Sequence, residues 1–329
     1  MKKKILIFGN FHNGNLAFEL FQNLNNKHDF KTYDFNRLMI IEPFKSKYLN
    51  FIFRLSFSKV SQLFLNFFLF IKIQLIKPQY FIAIKGLNIF PLTLKLFPKY
   101  VKKINWNLDD FENFKNSNEN LIKTIKYYDI IISPKKELFK SYEKLGAKKI
   151  LFIENFYLKR YHKYFKTKKI YKISFVGSWS NKREKYINSI IEFYQVHVFG
   201  NSWTKIKKHN NLKCHEYVDQ NQYSKIINQS EICLNFFTEE NNDTSNLRLF
   251  EVPACKGILL SEFSKRASEI LTPNKEAFFF KNENELIEKI NLILNIKKME
   301  LENIRVNGFK KIKSFDLNFR IEEVLNEII

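Results

Sequence analysis

The sequence predicts an α/β protein built from two Rossmann-like domains that face each other across a cleft. Three observations carry this. Short apolar runs rich in Ile, Val, Phe and Tyr alternate with longer helical patterns along the whole chain. The alternation restarts after a basic segment near residue 157. And 329 residues exceed the usual size of one hydrophobic core, so two domains of roughly 150 residues are the default.

In the first half the expected strands are KILIF (4–8), YFIAI (80–84), KINWN (103–107), DIIIS (129–133) and KILFI (149–153). Helical patterns fill Asn15 to Asn25 and Lys135 to Leu145, where KLGAKKI supplies a glycine stop before the next strand. Residues 1–156 are therefore expected to form the N-terminal domain, with 157–171 (YLKRYHKYFKTKKIY) as a linker. The pattern then resumes over 172–329, the C-terminal domain. Its strands are expected at KISFVGS (172–178), VHVFG (196–200), EICLNF (231–236) and GILLS (257–261), with closing helices from Glu283 and Glu300.

Composition bounds the function. A hydrophobic share of 45% fits a folded chain. The net charge of +22 comes from 47 Lys and 8 Arg, a mix that looks like codon bias more than like nucleic-acid recognition, which leans on Arg. No nucleic-acid partner is expected. Cys214, Cys233 and Cys255 form no CxxC pair and read as buried thiols in a reducing cytosol, so a cytoplasmic location is expected. No signal-peptide core follows MKKK. Lys59 to Lys77 is the most membrane-like stretch, but its longest uncharged run, Val60 to Ile71, is too short to span. It reads either as a core helix or, within 44–78, as a peripheral face for an anionic membrane surface.

Neither GxGxxG nor GxxxxGK[ST] is present, nor HExxH, GxSxG or a metal-ligand cluster, so no metal or other cofactor is expected. Ligands of doubly wound sheets sit beyond the C-terminal strand ends. There the second half offers SFVGSWSNKRE, where Gly177, Ser178 and Arg183 suit a diphosphate through backbone N–H groups, a helix N-terminus and a guanidinium. Tyr217, in a loop before a helix, suits stacking on a base. TSNLRLFEVPACKG places a helix start near Asn246, capped from NNDTSN, with Arg248 and Glu251 on one face. Arg248 is expected at an anion and Glu251 at a ribose diol, or the two pair with each other. Asp243 lies eight residues before Glu251. In the first half, His12 follows the first strand, while Asp109 and Asp110 follow the third expected one.

These pieces occur together, and in order, in one family. NWNLDDFENF, SFVGSWSNKRE, EICLNF and above all NLRLFEVPACKGILLSE resemble the CgeB-type (spore-maturation-protein-like) glycosyltransferases, a GT-B branch with a group 1-like C-terminal half. The resemblance runs from about residue 100 to the end. It implies a metal-independent transferase, with the nucleoside diphosphate sugar on the C-terminal domain. The acceptor, a cell-surface glycan or glycolipid precursor, falls to the N-terminal domain. By likeness to retaining enzymes with E-x7-E, Glu251 matches the ribose-binding glutamate and Asp243 the first acid, giving D-x7-E. Inversion would instead call on His12, Asp109 or Asp110 as base. Lys256, where ACGG is commoner, is expected to add a phosphate contact. Epimerase or phosphorylase chemistry on the same fold, or a non-catalytic basic binding protein, are the alternatives.

Overall fold

Parallel strands buried on both faces read as continuous apolar runs. Those runs form strands in a computed structural model of the chain, which describes residues 2–239 and 244–328. The chain divides into two compact units, Met1–Glu154 and Asn155–Ile329.

The first unit runs β1 (Lys3–Gly9), α1 (Leu16–Asn25), β2 (Phe30–Asn36), α2 (Leu38–Ile41), α3 (Lys47–Ile76), β3 (Tyr80–Ile84), α4 (Pro91–Lys95), β4 (Lys102–Trp106), α5 (Glu119–Thr124), β5 (Ile130–Ser133), α6 (Phe139–Lys144) and β6 (Ile150–Phe152). Its all-parallel sheet has the order β2-β1-β3-β4-β5-β6. Strand order reverses between β1 and β3, so the loops after these strands are where a ligand is expected. One face of the sheet is covered by Leu65, Leu69 and Ile73 of α3, which are fully buried against Phe8, Phe35 and Phe81.

The second unit runs β7 (Tyr171–Val176), α7 (Asn181–Ile191), β8 (Val196–Phe199), β9 (Leu212–His215), α8 (Gln220–Gln229), β10 (Ser230–Asn235), α9 (Arg248–Ala254), β11 (Leu259–Glu262), α10 (Lys265–Ile270), β12 (Phe278–Phe280), α11 (Glu283–Asn295), α12 (Lys298–Ile312) and α13 (Leu317–Ile328). Its sheet order is β12-β11-β10-β7-β8-β9, also all parallel, with the reversal between β7 and β10.

Two expectations change. Residues 157–171 are not a free linker but part of the second unit. Tyr157 N–H donates to Phe315 O (3.1 Å), Lys163 N–H to Ser224 Oγ (3.3 Å), and Phe165 N–H to Asn228 Oδ1 (3.0 Å). Burying Tyr157, Leu158 and Tyr161 is what draws this basic segment onto α8 and the chain's end. Second, α3 is one continuous helix, and its Ser58–Ile76 part is long and apolar enough by composition to cross a membrane. One third of that stretch is buried within the unit, and Lys72 interrupts its apolar run.

Candidate functional site

The second unit carries a pocket of about 280 Å³ at the C-terminal ends of β7 and β8. Val176, Gly177, Ser178 and Arg183 form one wall; Phe199 and Gly200 form the next; Tyr217 to Gln220, Tyr223 and Arg248 complete it. It thus sits beside the β7/β10 reversal, the position that strand topology dictates.

The loop after β7 is shaped by close backbone approach. A Cβ on Gly200, at φ +149°, would stand 2.3 Å from Gly177 O, and one on Gly177 would stand 2.7 Å from the Phe175 ring. The two glycines let the β7 and β8 loops touch. Gly177 N–H donates to Phe199 O (2.8 Å) and Trp179 N–H to Asn201 O (2.9 Å). Those two amides are therefore committed to holding the loops together, so the Gly177 N–H is not open to a diphosphate.

Two arginines supply the charge. Arg183 is set in the first turn of α7, whose N-cap Ser180 Oγ accepts the Arg183 N–H (3.3 Å). Its guanidinium lies 5.2 Å from the Phe175 ring centre and donates to Ser178 O (2.8 Å). Arg248 opens α9, donates through Nε to Val176 O (3.2 Å) and lies over the Tyr223 ring at 4.5 Å. Burial lowers its pKa, but the Glu251 carboxylate and the Tyr223 hydroxyl together outweigh that and hold it above the ordinary arginine value.

Glu251 does not line the pocket. Its side chain is 2% exposed; Oε2 accepts from Arg248 Nη1, and Oε1 faces His162 Nε2 at 3.7 Å. The pairing of Arg248 with Glu251 is thus the arrangement present. Helix α9 buries Leu249, Phe250, Val252, Pro253 and Ala254, so a charged pair on it is held inside an apolar shell. It begins at Arg248, two residues after the expected start near Asn246, with Leu247 as N-cap and no side-chain cap. Asn246 instead exchanges two amide hydrogen bonds with Asn235 at the end of β10 (2.9 and 3.1 Å).

His162, buried in the supposed linker, was not singled out by sequence. Leu158 N–H donates to its Nδ1 (3.0 Å), so Nε2 carries the proton and donates to Gln220 Oε1 (2.9 Å). That leaves the amide nitrogen of Gln220, a pocket residue, as the donor available to a ligand. Asp219 is occupied: it forms a capping box with Gln222 at the start of α8. Tyr217 is at the pocket margin and 68% exposed. Lys256, at φ 51°, has its ammonium over the Tyr164 (4.8 Å) and Phe309 (5.6 Å) rings. Cation–π contacts thus replace the expected phosphate contact. Asp243 lies outside the described residues.

In the first unit, Asp109 and Asp110 follow β4. Lys85 Nζ donates to Asp109 Oδ2 (2.7 Å), and Asp110 Oδ1 accepts from Glu112 N–H (2.9 Å). The carboxylates thus have separate partners. Burial raises the Tyr142 hydroxyl, with Asp110 and Asp109 adding to the rise. His12 is exposed in the loop after β1, where its carbonyl accepts from Asn15 N–H (2.9 Å). Among the described residues, no group of three His, Cys, Asp or Glu is gathered as a metal site.

Two six-stranded parallel α/β units, the second with an arginine-walled pocket at its strand reversal, define a GT-B-fold protein. Residues 175–326 match the family described as glycosyl transferase-like, a span from β7 to α13 that contains the whole pocket. No curated protein sequence matches the chain. Among solved structures, sucrose-phosphate synthase from Thermosynechococcus elongatus is similar with a TM-score of 0.73 at 9% identity, covering 99% of this chain and 98% of that one. HepE from Anabaena, in complex with UDP and glucose, has a TM-score of 0.65 at 10% identity, covering 99% of both chains. The lipopolysaccharide outer core galactosyltransferase WaaB has 0.60 at 13%, again covering 99% of both.

Proposed function

We propose that the protein is a glycosyltransferase of the CgeB-type branch. It moves a sugar from a nucleoside diphosphate donor to a cell-surface glycan or glycolipid precursor on the cytoplasmic side. The observation that carries the reading is the pocket walled by Arg183 and Arg248 inside the span that matches glycosyl transferase-like proteins. HepE holds UDP-glucose in a similar fold, which supports a nucleotide sugar as the donor class.

The roles follow from chemistry. Leaving-group departure develops negative charge on the diphosphate, and fixed guanidinium groups stabilise it without reorganising. Arg183 and Arg248 fill that role beside Gly177 and Ser178, and no metal is required of the pocket. Tyr217 stacks on the base, and Gln220 donates to an acceptor oxygen of the nucleotide. Glu251 acts first through Arg248, which it fixes in place. Its own contact to the ribose requires the pair to part when donor binds, and Asn246 acts by bracing the loop. Asp243 at the transferred sugar gives retention of anomeric configuration, with His12, Asp109 or Asp110 on the acceptor side.

Incubation with a panel of UDP- and GDP-sugars tests this. Slow release of free nucleoside diphosphate, insensitive to EDTA, is the expected result. An altered sugar nucleotide instead assigns an epimerase, and restoration by Mg²⁺ after EDTA overturns the metal-free reading. NMR of the product's anomeric proton decides between retention and inversion.

A further inference from the structure

Helix α3 presents two apolar faces, and the fold uses one of them. At about 100° per residue, Leu65, Leu69 and Ile73 share the face packed on the sheet. Val60, Leu63, Phe64, Phe67, Phe68 and Leu75 fall within about 140° of arc on the other side, and all are exposed, Leu75 by 78%. Six large apolar side chains on one exposed face are more than scattered surface hydrophobics.

Along the chain the charge of this stretch is one-sided, with Asp34 of β2 reaching Lys72 from another element. From Pro43 to Leu108 the sequence contains ten Lys and Arg54 but no Asp or Glu; all 33 acidic residues lie elsewhere. A codon bias toward Lys would not clear acids from one region while leaving them throughout the rest. Exposed Lys59 on the helix and exposed Lys77, its left-handed C-cap, bracket the apolar arc along the chain. That is where a lysine reaches headgroups while its neighbours enter the acyl boundary.

We propose that the outer face of α3 docks on an anionic lipid bilayer, lying in its interface without crossing it. Crossing is opposed by what anchors the inner face. Buried Asn66 donates to Gln62 O and Asn88 O (both 2.8 Å) and accepts from Phe90 N–H and Thr93 Oγ1 (both 2.7 Å). Moving α3 into a bilayer would strip those bonds and bare the sheet. The docking gives the glycosyltransferase reading its lipid-side acceptor, on which its purpose rests, but the contact itself is independent of activity.

Flotation of the whole chain with phosphatidylglycerol–phosphatidylcholine vesicles, against phosphatidylcholine alone, tests the proposal. Binding is expected on the anionic vesicles at low salt, with release at high salt. Lys59→Gln with Lys77→Gln should lower partitioning roughly thirtyfold. Leu63→Ser with Phe67→Ser should abolish flotation while leaving the unfolding temperature unchanged. Absence of flotation on anionic vesicles, or equal binding to both kinds, overturns the proposal. So does retention after alkaline carbonate, which marks a spanning helix, or a dimer lost in Leu63→Ser/Phe67→Ser, which assigns the face to a second copy. UDP binding in the same preparation, read by calorimetry, reports separately on the donor site.

Discussion

Each unit places an ion pair beyond the C-terminal strand ends of its sheet, and the two pairs differ in what they are for. In the second unit, Arg248 meets a Glu251 side chain that is 2% exposed. In the first, Lys85 meets Asp109 with 25% and 33% of their side chains exposed. A charge buried beside its partner is part of the frame, because removing the partner strands it in a low dielectric. A half-exposed pair is held loosely enough for solvent or substrate to compete. The pair beside the second unit's pocket is therefore built into the packing, whereas the first unit's carboxylates are carried on the loop after β4.

Breaking the buried pair should have the largest effect. Arg248→Ala leaves Glu251 without its guanidinium and is expected to cost about 3–5 kcal/mol of stability, read by urea unfolding. A loss under about 1 kcal/mol would put it in the same class as the first unit's pair and remove the contrast. Arg183→Ala separates binding from folding. Its guanidinium lies over the Phe175 ring and donates to the Ser178 and Phe236 carbonyls, neutral groups whose loss strands no buried charge, so stability should fall far less than in Arg248→Ala. UDP affinity should fall at least about tenfold by calorimetry, the worth of a hydrogen bond to a charged group.

Asp109→Asn sharpens the comparison from the other side. Stability is expected to fall by less than about 1 kcal/mol, with UDP binding unaltered. The thiols offer a check that needs no substitution. Burial pushes Cys233 up to about 11 and Cys255 up to about 12, while Cys214 is exposed. Cys214 alone should react with a thiol reagent at neutral pH in the native protein, and all three after unfolding. The sign of the pH effect follows. Between about pH 9 and 11 the folded state retains two protons that the unfolded state releases, so stability is full below that window and falls as pH rises through it.

Much of the fold was legible because parallel strands covered on both faces are apolar without interruption. KILIF, YFIAI, DIIIS and EICLNF all became strands within a residue or two of their expected bounds. The strands without an advance signal, β2, β9 and β12, are edge strands. Edge position lets β2 alternate buried and exposed residues and lets β9 expose Lys213, so their runs are broken or short. The helix at 248–254 was legible in type, but its missing side-chain cap was not, since Ser245 and Asn246 are capping residue types and yet Leu247 takes the N-cap position.

By itself, the sequence determined the alternation of strand and helix, the two-unit plan and the pocket residues Gly177, Ser178, Arg183, Tyr217 and Arg248. Each depends on local pattern: apolar period, a glycine after a strand, an arginine in a first helical turn. Tertiary structure decided that the second oxygen of Glu251 faces His162, which arrives from a segment 89 residues earlier. It also decided that Lys256 sits over aromatic rings and that Gln220 is oriented by a histidine. For α3 it decided which apolar face is core and which is left outside, a distinction that periodicity cannot make when both faces are apolar.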